Sequence, residues 1–270
     1  PWTGIMCMTY MFALMGIQSS PAFSMWSFSN KTSKAFRWQQ VVASSVIIGV
    51  ILFTFTIFQG LGGHILEANG ILKGTTDKNL VPQLINLMSS SAPWLVGLLA
   101  VCALAAMQST GAAYMSTFSG MVTRDVYKHY FSKDATDKTQ KFFGRVFVVI
   151  VAGAALIVAA KSTQAIVMLG GLAVAYGFQM YPSLIGLCYF PKLSTKSVVA
   201  GLIAGLIAVT LTDKTSAWFS VPWGAYPLTI HSAGWGIFVN LFTVAMGSFL
   251  FPDSTQLSER KNRRHTFLQS

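Results

Sequence analysis

The sequence predicts an all-α polytopic membrane protein with about seven transmembrane helices, and three observations carry that prediction. Of the 270 residues, 53% are hydrophobic and only 10% charged, with a mean hydropathy of +0.56; a soluble domain carries about 25% charged residues. Uncharged runs extend from Pro1 to Asn30, Trp38 to Leu66, Asn79 to Thr123, Ser162 to Pro191 and Thr215 to Pro252, each longer than the ~20 residues that cross ~30 Å of hydrocarbon. The basic residues then alternate in density from one inter-span segment to the next.

That alternation orients the chain. With seven spans, one side holds Lys31, Lys34 and Arg37; Arg124, Lys128, Lys133, Lys138, Lys141 and Arg145; Lys192 and Lys196; and Arg260, Lys261, Arg263 and Arg264. These are fifteen of the nineteen basic residues, and only Lys73, Lys78, Lys161 and Lys214 fall on the other side. Cytoplasmic segments carry the excess of Lys and Arg, so the rich side, with the C-terminus, is cytoplasmic. The net charge of +11 is accordingly a topology signal, and no nucleic-acid partner is expected.

The elements follow in order. A first span, Trp2 to Gln18, stops at Ser19-Ser20-Pro21, where proline punctuates the helix end; a polar loop from Ser24 to Arg37 follows. A second span, Gln40 to Gly62, is closed by Gly62-Gly63. An external loop from His64 to Ala92 holds a short helix near Val81 to Met88. The third span, Pro93 to Tyr127, is long enough at 1.5 Å per residue to tilt or to project into the cytoplasm. The fourth has fifteen uncharged residues, Val146 to Ala160, which Phe142, Phe143 and snorkelling Arg145 and Lys161 extend to a full crossing. The fifth, Ala165 to Phe190, contains Gly170-Gly171, Gly177 and Pro182 and is expected to kink or unwind. The sixth, Val198 to Leu211, carries Gly201 and Gly205, small residues four apart that let helices approach closely in lipid. The seventh runs from Gly234 to Phe251. Residues 1–251 thus form one transmembrane module and residues 252–270 a basic cytoplasmic tail.

Little here suits an enzyme. None of the eight acidic residues is placed deep in the membrane, the four histidines are placed outside the spans, and paired carboxylates or metal-ligand spacings are missing. Cys7, Cys102 and Cys188 fall inside apolar spans and read as free, buried, small hydrophobes. No cofactor is expected.

The third span carries the one unusual motif, Ala105-Ala106-Met107-Gln108-Ser109-Thr110-Gly111-Ala112. Ser109 and Thr110 are about 100° apart on a helix, and Ala106 lies one turn before Thr110. The Ala106 carbonyl keeps a second lone pair beyond its helical bond, so two hydroxyls and a carbonyl can meet a hard cation. Equally, both hydroxyls can simply bond back to carbonyls of the preceding turn.

Ala106-x-x-Ser109-Thr110 with the helix end Arg124-Asp125-Val126-Tyr127 resembles the eighth core helix of the sodium:solute symporter family. Weaker matches run along the chain: Gly16-Ile17-Gln18 to Lys34 is similar to the family's sixth core helix and its loop, and Tyr176 to Lys192, with Pro182 and Tyr189-Phe190-Pro191, to its tenth. The resemblance implies a LeuT-type fold, of which this chain holds the second inverted repeat plus two extra helices. It implies sodium as coupling ion, held by Ala106, Ser109 and Thr110, and a solute cavity faced by Tyr10, Gln18, Tyr176 and Gln179. Arg124, Asp125 and Tyr127 are read as an interfacial anchor of their helix. The chain opens on Pro1 inside an apolar segment and lacks the family's first repeat. It is therefore expected to be a fragment whose further partner, besides the lipid bilayer and a small organic solute, is the missing N-terminal half. The function expected is sodium-coupled import across the plasma membrane by alternating access. A sensor module fused to signalling machinery is the rival, and a passive channel a third reading, disfavoured by the lack of a filter motif.

Overall fold

The structure is a computed structural model and describes residues 3–29, 31–32, 34, 36–76, 79–161, 166–190, 192–214 and 224–252. No strand occurs among the described residues. The chain divides into two compact units, residues 25–165 and residues 1–24 with 166–270.

In the unit of residues 25–165, α3 (Phe36–Trp38), a π-helical stretch (Gln39–Ile48) and α4 (Gly49–Ala68) form one rod. Its apolar part, Val41–Ala68, is long enough to cross a membrane. Phe53, Phe55 and Phe58 are each more than 60% exposed on it; a helix apolar all round is a membrane helix, since water would not tolerate that surface. Gly62-Gly63 does not end this helix, as the sequence reading expected. Glycine is tolerated within membrane helices, and Gly63 sits against the Leu80 side chain of α5 (Leu80–Leu87), whose end would have to shift to admit a Cβ. His64 and Glu67 therefore ride the last turns of α4 rather than a loop. Gly70, with φ of +73°, turns the chain out after Ala68.

The α6 helix (Pro93–Met121) opens on proline, whose missing N–H is no loss in a first turn. It continues as a π-helical segment, Val122–Phe131, whose wider ring shows in Ser132 N–H donating to the Tyr127 carbonyl five residues back. His129 lies on this segment, in the polar last turns of the long helix and past Tyr127, where the third span was expected to end. The α7 helix (Asp137–Lys161) is the full crossing anticipated from its flanking residues. It packs along α6, where the Ser119 hydroxyl donates to the Gly144 carbonyl at 2.7 Å and the Tyr127 ring lies 4.3 Å from Phe143.

In the other unit, α1 (Gly4–Leu14) ends in a 3₁₀ turn, Met15–Ser19. At 1.5 and 2.0 Å per residue these sixteen residues reach roughly 26 Å, a short first span. The following helix α2 (Pro21–Phe28) starts directly at the proline. The expected kink in the fifth span is a break: α8 (Ile166–Phe178) stops, and α9 (Tyr181–Cys188) starts after two intervening residues. Pro182 has no N–H for the Phe178 carbonyl and its ring would clash there, so the helix ends at that residue; Gly170, Gly171 and Gly177 lie within intact α8. The α10 (Thr195–Thr212) and α11 (Ser232–Leu250) helices are the two remaining crossings. Gly201 and Gly205 face Asn240, Val244 and Gly236 of α11, and a Cβ at either glycine would overlap them. The core of this unit is Ala13, Ala175, Phe178, Val209 and Ala233.

Among the described residues five helices are long and apolar enough to cross, and Gly4–Ser19 is a shorter apolar helix; this is the all-α polytopic membrane protein expected, with the broken α8–α9 pair where the fifth span was placed. Cys7 and Cys102 are free but exposed on their helices, correcting the expectation of burial: they stand on outward faces. The side chain of Cys188 and residues 253–270 of the tail lie outside the described residues. Gly205→Leu should cost roughly 1–3 kcal/mol through overpacking, read as a lower unfolding midpoint in detergent. Gly97→Leu, where a Cβ meets nothing within 4 Å, should leave it unchanged.

Candidate functional site

Helix geometry gathers Ala106, Ser109 and Thr110 as their spacing requires. Ser109 Oγ donates to the Ala106 carbonyl at 3.0 Å and Thr110 Oγ1 to the same oxygen at 3.3 Å. All three residues are exposed on the surface of their unit. Two readings stood open for these hydroxyls, and the geometry contains both: they bond back to the preceding turn, and in doing so they converge on one carbonyl. Oxygens 3.0 and 3.3 Å apart, around a hard cation at roughly 2.4 Å, subtend about 80°, an angle suited to neighbouring ligands. Binding requires only that the hydroxyl protons rotate away, since each oxygen retains lone pairs. Three neutral oxygens are fewer than such a cation takes, so the triad alone would not complete a coordination shell. Among the described residues no His, Cys, Asp or Glu side chains group into a metal-holding cluster.

The expected solute-facing residues all belong to the other unit. Gln18 is exposed, and Tyr10 and Tyr176 are half-buried. The Tyr176 hydroxyl lies 2.9 Å from Thr210 Oγ1; because Thr210 donates to the Leu206 carbonyl, Tyr176 is the donor. Gln179 is fully buried. Its Nε2 donates to the Ala175 carbonyl at 3.1 Å, while Asn240 Nδ2 donates to both its backbone carbonyl, at 2.8 Å, and its Oε1, at 3.3 Å. This side chain holds α8, α10 and α11 together at the break.

Beside that core lies a polar cluster the sequence reading did not single out. The Ser232 hydroxyl donates to Asp213 Oδ2 at 2.6 Å, with both residues buried. His231 caps α11: its Nδ1 accepts the Ala233 N–H at 3.2 Å, and its own N–H donates to Thr9 Oγ1 at 3.0 Å. Tyr10 meets the imidazole edge-on at 4.9 Å and Tyr226 stacks on it at 5.7 Å. Asp213 and His231 stand at the facing ends of two consecutive apolar spans, a signal available in the sequence only to a reader who knows those span ends pair. An apolar cavity of about 540 Å³, lined by Thr9, Phe12, Phe178, Pro182 and Ile185 among others, opens at the α8–α9 break.

Burial drives the His231 imidazole below its ordinary value of 6.5, and the Asp213 carboxylate opposes this to a smaller extent. A neutral Nδ1 is also what the capping bond needs. Folding therefore favours the uncharged ring, whose contribution to stability is complete above pH 6.5 and is lost as pH falls through 6.5 towards the folded-state value. The unfolding midpoint should fall between about pH 7.5 and 5.5. His231→Asn, which keeps a capping acceptor, should flatten that dependence; equal slopes in both proteins would remove His231 from the account.

Comparison with known proteins gives a consistent set of likenesses. The model of the sodium:solute symporter family matches residues 3–213. The chain is 26% identical over 180 residues to the sodium/proline symporter of Haemophilus influenzae, covering 64% of this chain and 34% of that protein. It is 30% identical over 130 residues to the sodium/proline symporter of Escherichia coli, covering 48% and 26%. To the osmoregulated proline transporter OpuE of Bacillus subtilis it is 28% identical over 155 residues, covering 56% and 31%. The matched region spans about a third or less of these relatives' length. Their names describe symporters and transporters, and none indicates a sensor. No solved structure matches the chain.

Proposed function

We propose, for a chain that belongs to the sodium:solute symporter family, that it forms part of a sodium-coupled secondary transporter importing a small amino acid such as proline. The observation that carries this reading is the convergence of the Ser109 and Thr110 hydroxyls on the Ala106 carbonyl within a helix of a chain whose relatives are named for sodium and proline. Sodium, as coupling ion, takes these three oxygens. The rest of its shell comes from outside the triad, and the relatives' much greater length leaves room for segments that supply it.

In this reading Tyr10, Gln18 and Tyr176 face the solute, and Gln179 supports the broken α8–α9 element beside them. Discontinuous helices are where such transporters place their solute sites, and here the break opens on an apolar cavity. The cycle is alternating access. Sodium binds the outward-open state more tightly than the inward-open one, and that difference in affinity is all that coupling requires. The module of residues 1–251 sits in the plasma membrane, with the tail of residues 252–270 in the cytoplasm, as the distribution of basic residues favours.

The test uses the full protein in proteoliposomes. Ser109→Ala and Thr110→Ala should each raise the sodium concentration for half-maximal proline uptake by about tenfold, the equivalent of one lost hard-cation ligand. Ser116→Ala makes a sound control, since Ser116 makes the same back-bond, to the Ala113 carbonyl at 3.0 Å, outside the triad. Unchanged sodium dependence in both triad variants would overturn the assignment.

A further inference from the structure

We propose that the cavity between α7 and the end of α6 with its π-helical extension binds an anionic phospholipid of the cytoplasmic leaflet. The cavity measures about 670 Å³ and lies wholly within the unit of residues 25–165. Arg124 enters it from the π-helical segment, and Lys141 and Arg145, one turn apart, enter it from α7; Asp137 is the one acidic lining residue, so the site is net cationic. Deeper along α7 the wall becomes apolar at Val148 and Val149. A cationic mouth at the loop end and an apolar wall towards the bilayer centre match the two ends of a phospholipid, phosphate outward and acyl chain inward.

A second observation points to a ligand independently of charge. Thr123 lines the same cavity and is only 4% exposed, yet its Oγ1 has no hydrogen-bond partner. The neighbouring hydroxyl is already committed, Ser119 to the Gly144 carbonyl. A buried hydroxyl left unpaired is costly, and a phosphate or glycerol-ester oxygen would satisfy it. Arg124 also lines an adjoining concavity with Lys128 and Lys133, which adds positive charge around the same headgroup. These cations mark topology in the sequence; their convergence on one cavity assigns them a ligand as well.

The experiment measures thermal stability and native mass spectra of the full-length protein in detergent with added phosphatidylglycerol, phosphatidylcholine or glycerol 3-phosphate. Phosphatidylglycerol should stabilise saturably and be retained, and the other two should not. Lys141→Gln with Arg145→Gln should weaken that retention by about 25-fold, at about fivefold per charge near a lipid surface; Thr123→Val should weaken it while leaving the charge intact. Equal effects of phosphatidylcholine would reduce the site to unspecific lipid contact, and equal effects of glycerol 3-phosphate would replace the lipid with a free anion; either result overturns the proposal. Should the double variant not fold, the three-additive comparison on the unmodified protein decides the matter.

Discussion

The contact on which one unit depends is the donation from Asn240 Nδ2 to the backbone carbonyl of Gln179. In hydrocarbon no water is available to satisfy a freed backbone group, so a helix can break only where protein supplies the partner. Pro182 forces the break, and Ser183 N–H turns to the Met180 carbonyl, leaving the Gln179 carbonyl without its helical donor. Asn240, in the middle of α11, fills that vacancy from a distance of 61 residues along the chain. Gly205 and Gly236 then let α10 and α11 close around the Gln179 side chain. Substituting either glycine would push apart the helices that make the break affordable.

Elsewhere the same constraint acts more quietly. Thr9, Thr54, Thr56, Thr117, Thr210, Thr212 and Thr243 each donate to a carbonyl four residues back. These back-bonds are how a membrane helix carries hydroxyls at all. The Ala106 carbonyl accepts two bonds of this kind, from Ser109 and Thr110, which hold the three oxygens close together.

Much of this was legible in the sequence because a bilayer imposes length and polarity on each span. The seven apolar segments and the Pro182 discontinuity follow from local rules, as does the close approach at Gly201 and Gly205. Boundaries were less legible. Gly62-Gly63 resembles a stop signal, yet Leu80 packs against Gly63 and the helix continues to Ala68; only tertiary contact reveals that. Asn240 carried a signal that went unused, since an amide inside an apolar helix needs a partner. Its partner, however, is a backbone carbonyl, which has no signature in sequence. His231 reads as an unremarkable residue in a loop until Thr9, Tyr10 and Tyr226 close over it.

The triad raises a final question of specificity, because α6 repeats its own pattern seven residues on. Ser116 and Thr117 converge on the Ala113 carbonyl at 3.0 and 2.8 Å, much as Ser109 and Thr110 do on Ala106. Hydroxyl spacing therefore cannot by itself select a cation site. What separates the two is environment: Thr117 is buried within its unit, whereas Ser109 and Thr110 both remain exposed. Ser116 is exposed as well, so this difference rests on Thr117 alone. The set at Ala113 also lies nearer the cationic mouth formed by Arg124, Lys141 and Arg145, a setting unfavourable to any cation. On the function proposed above, the charges that would hold a lipid phosphate also disfavour sodium at Ala113 relative to Ala106, Ser109 and Thr110.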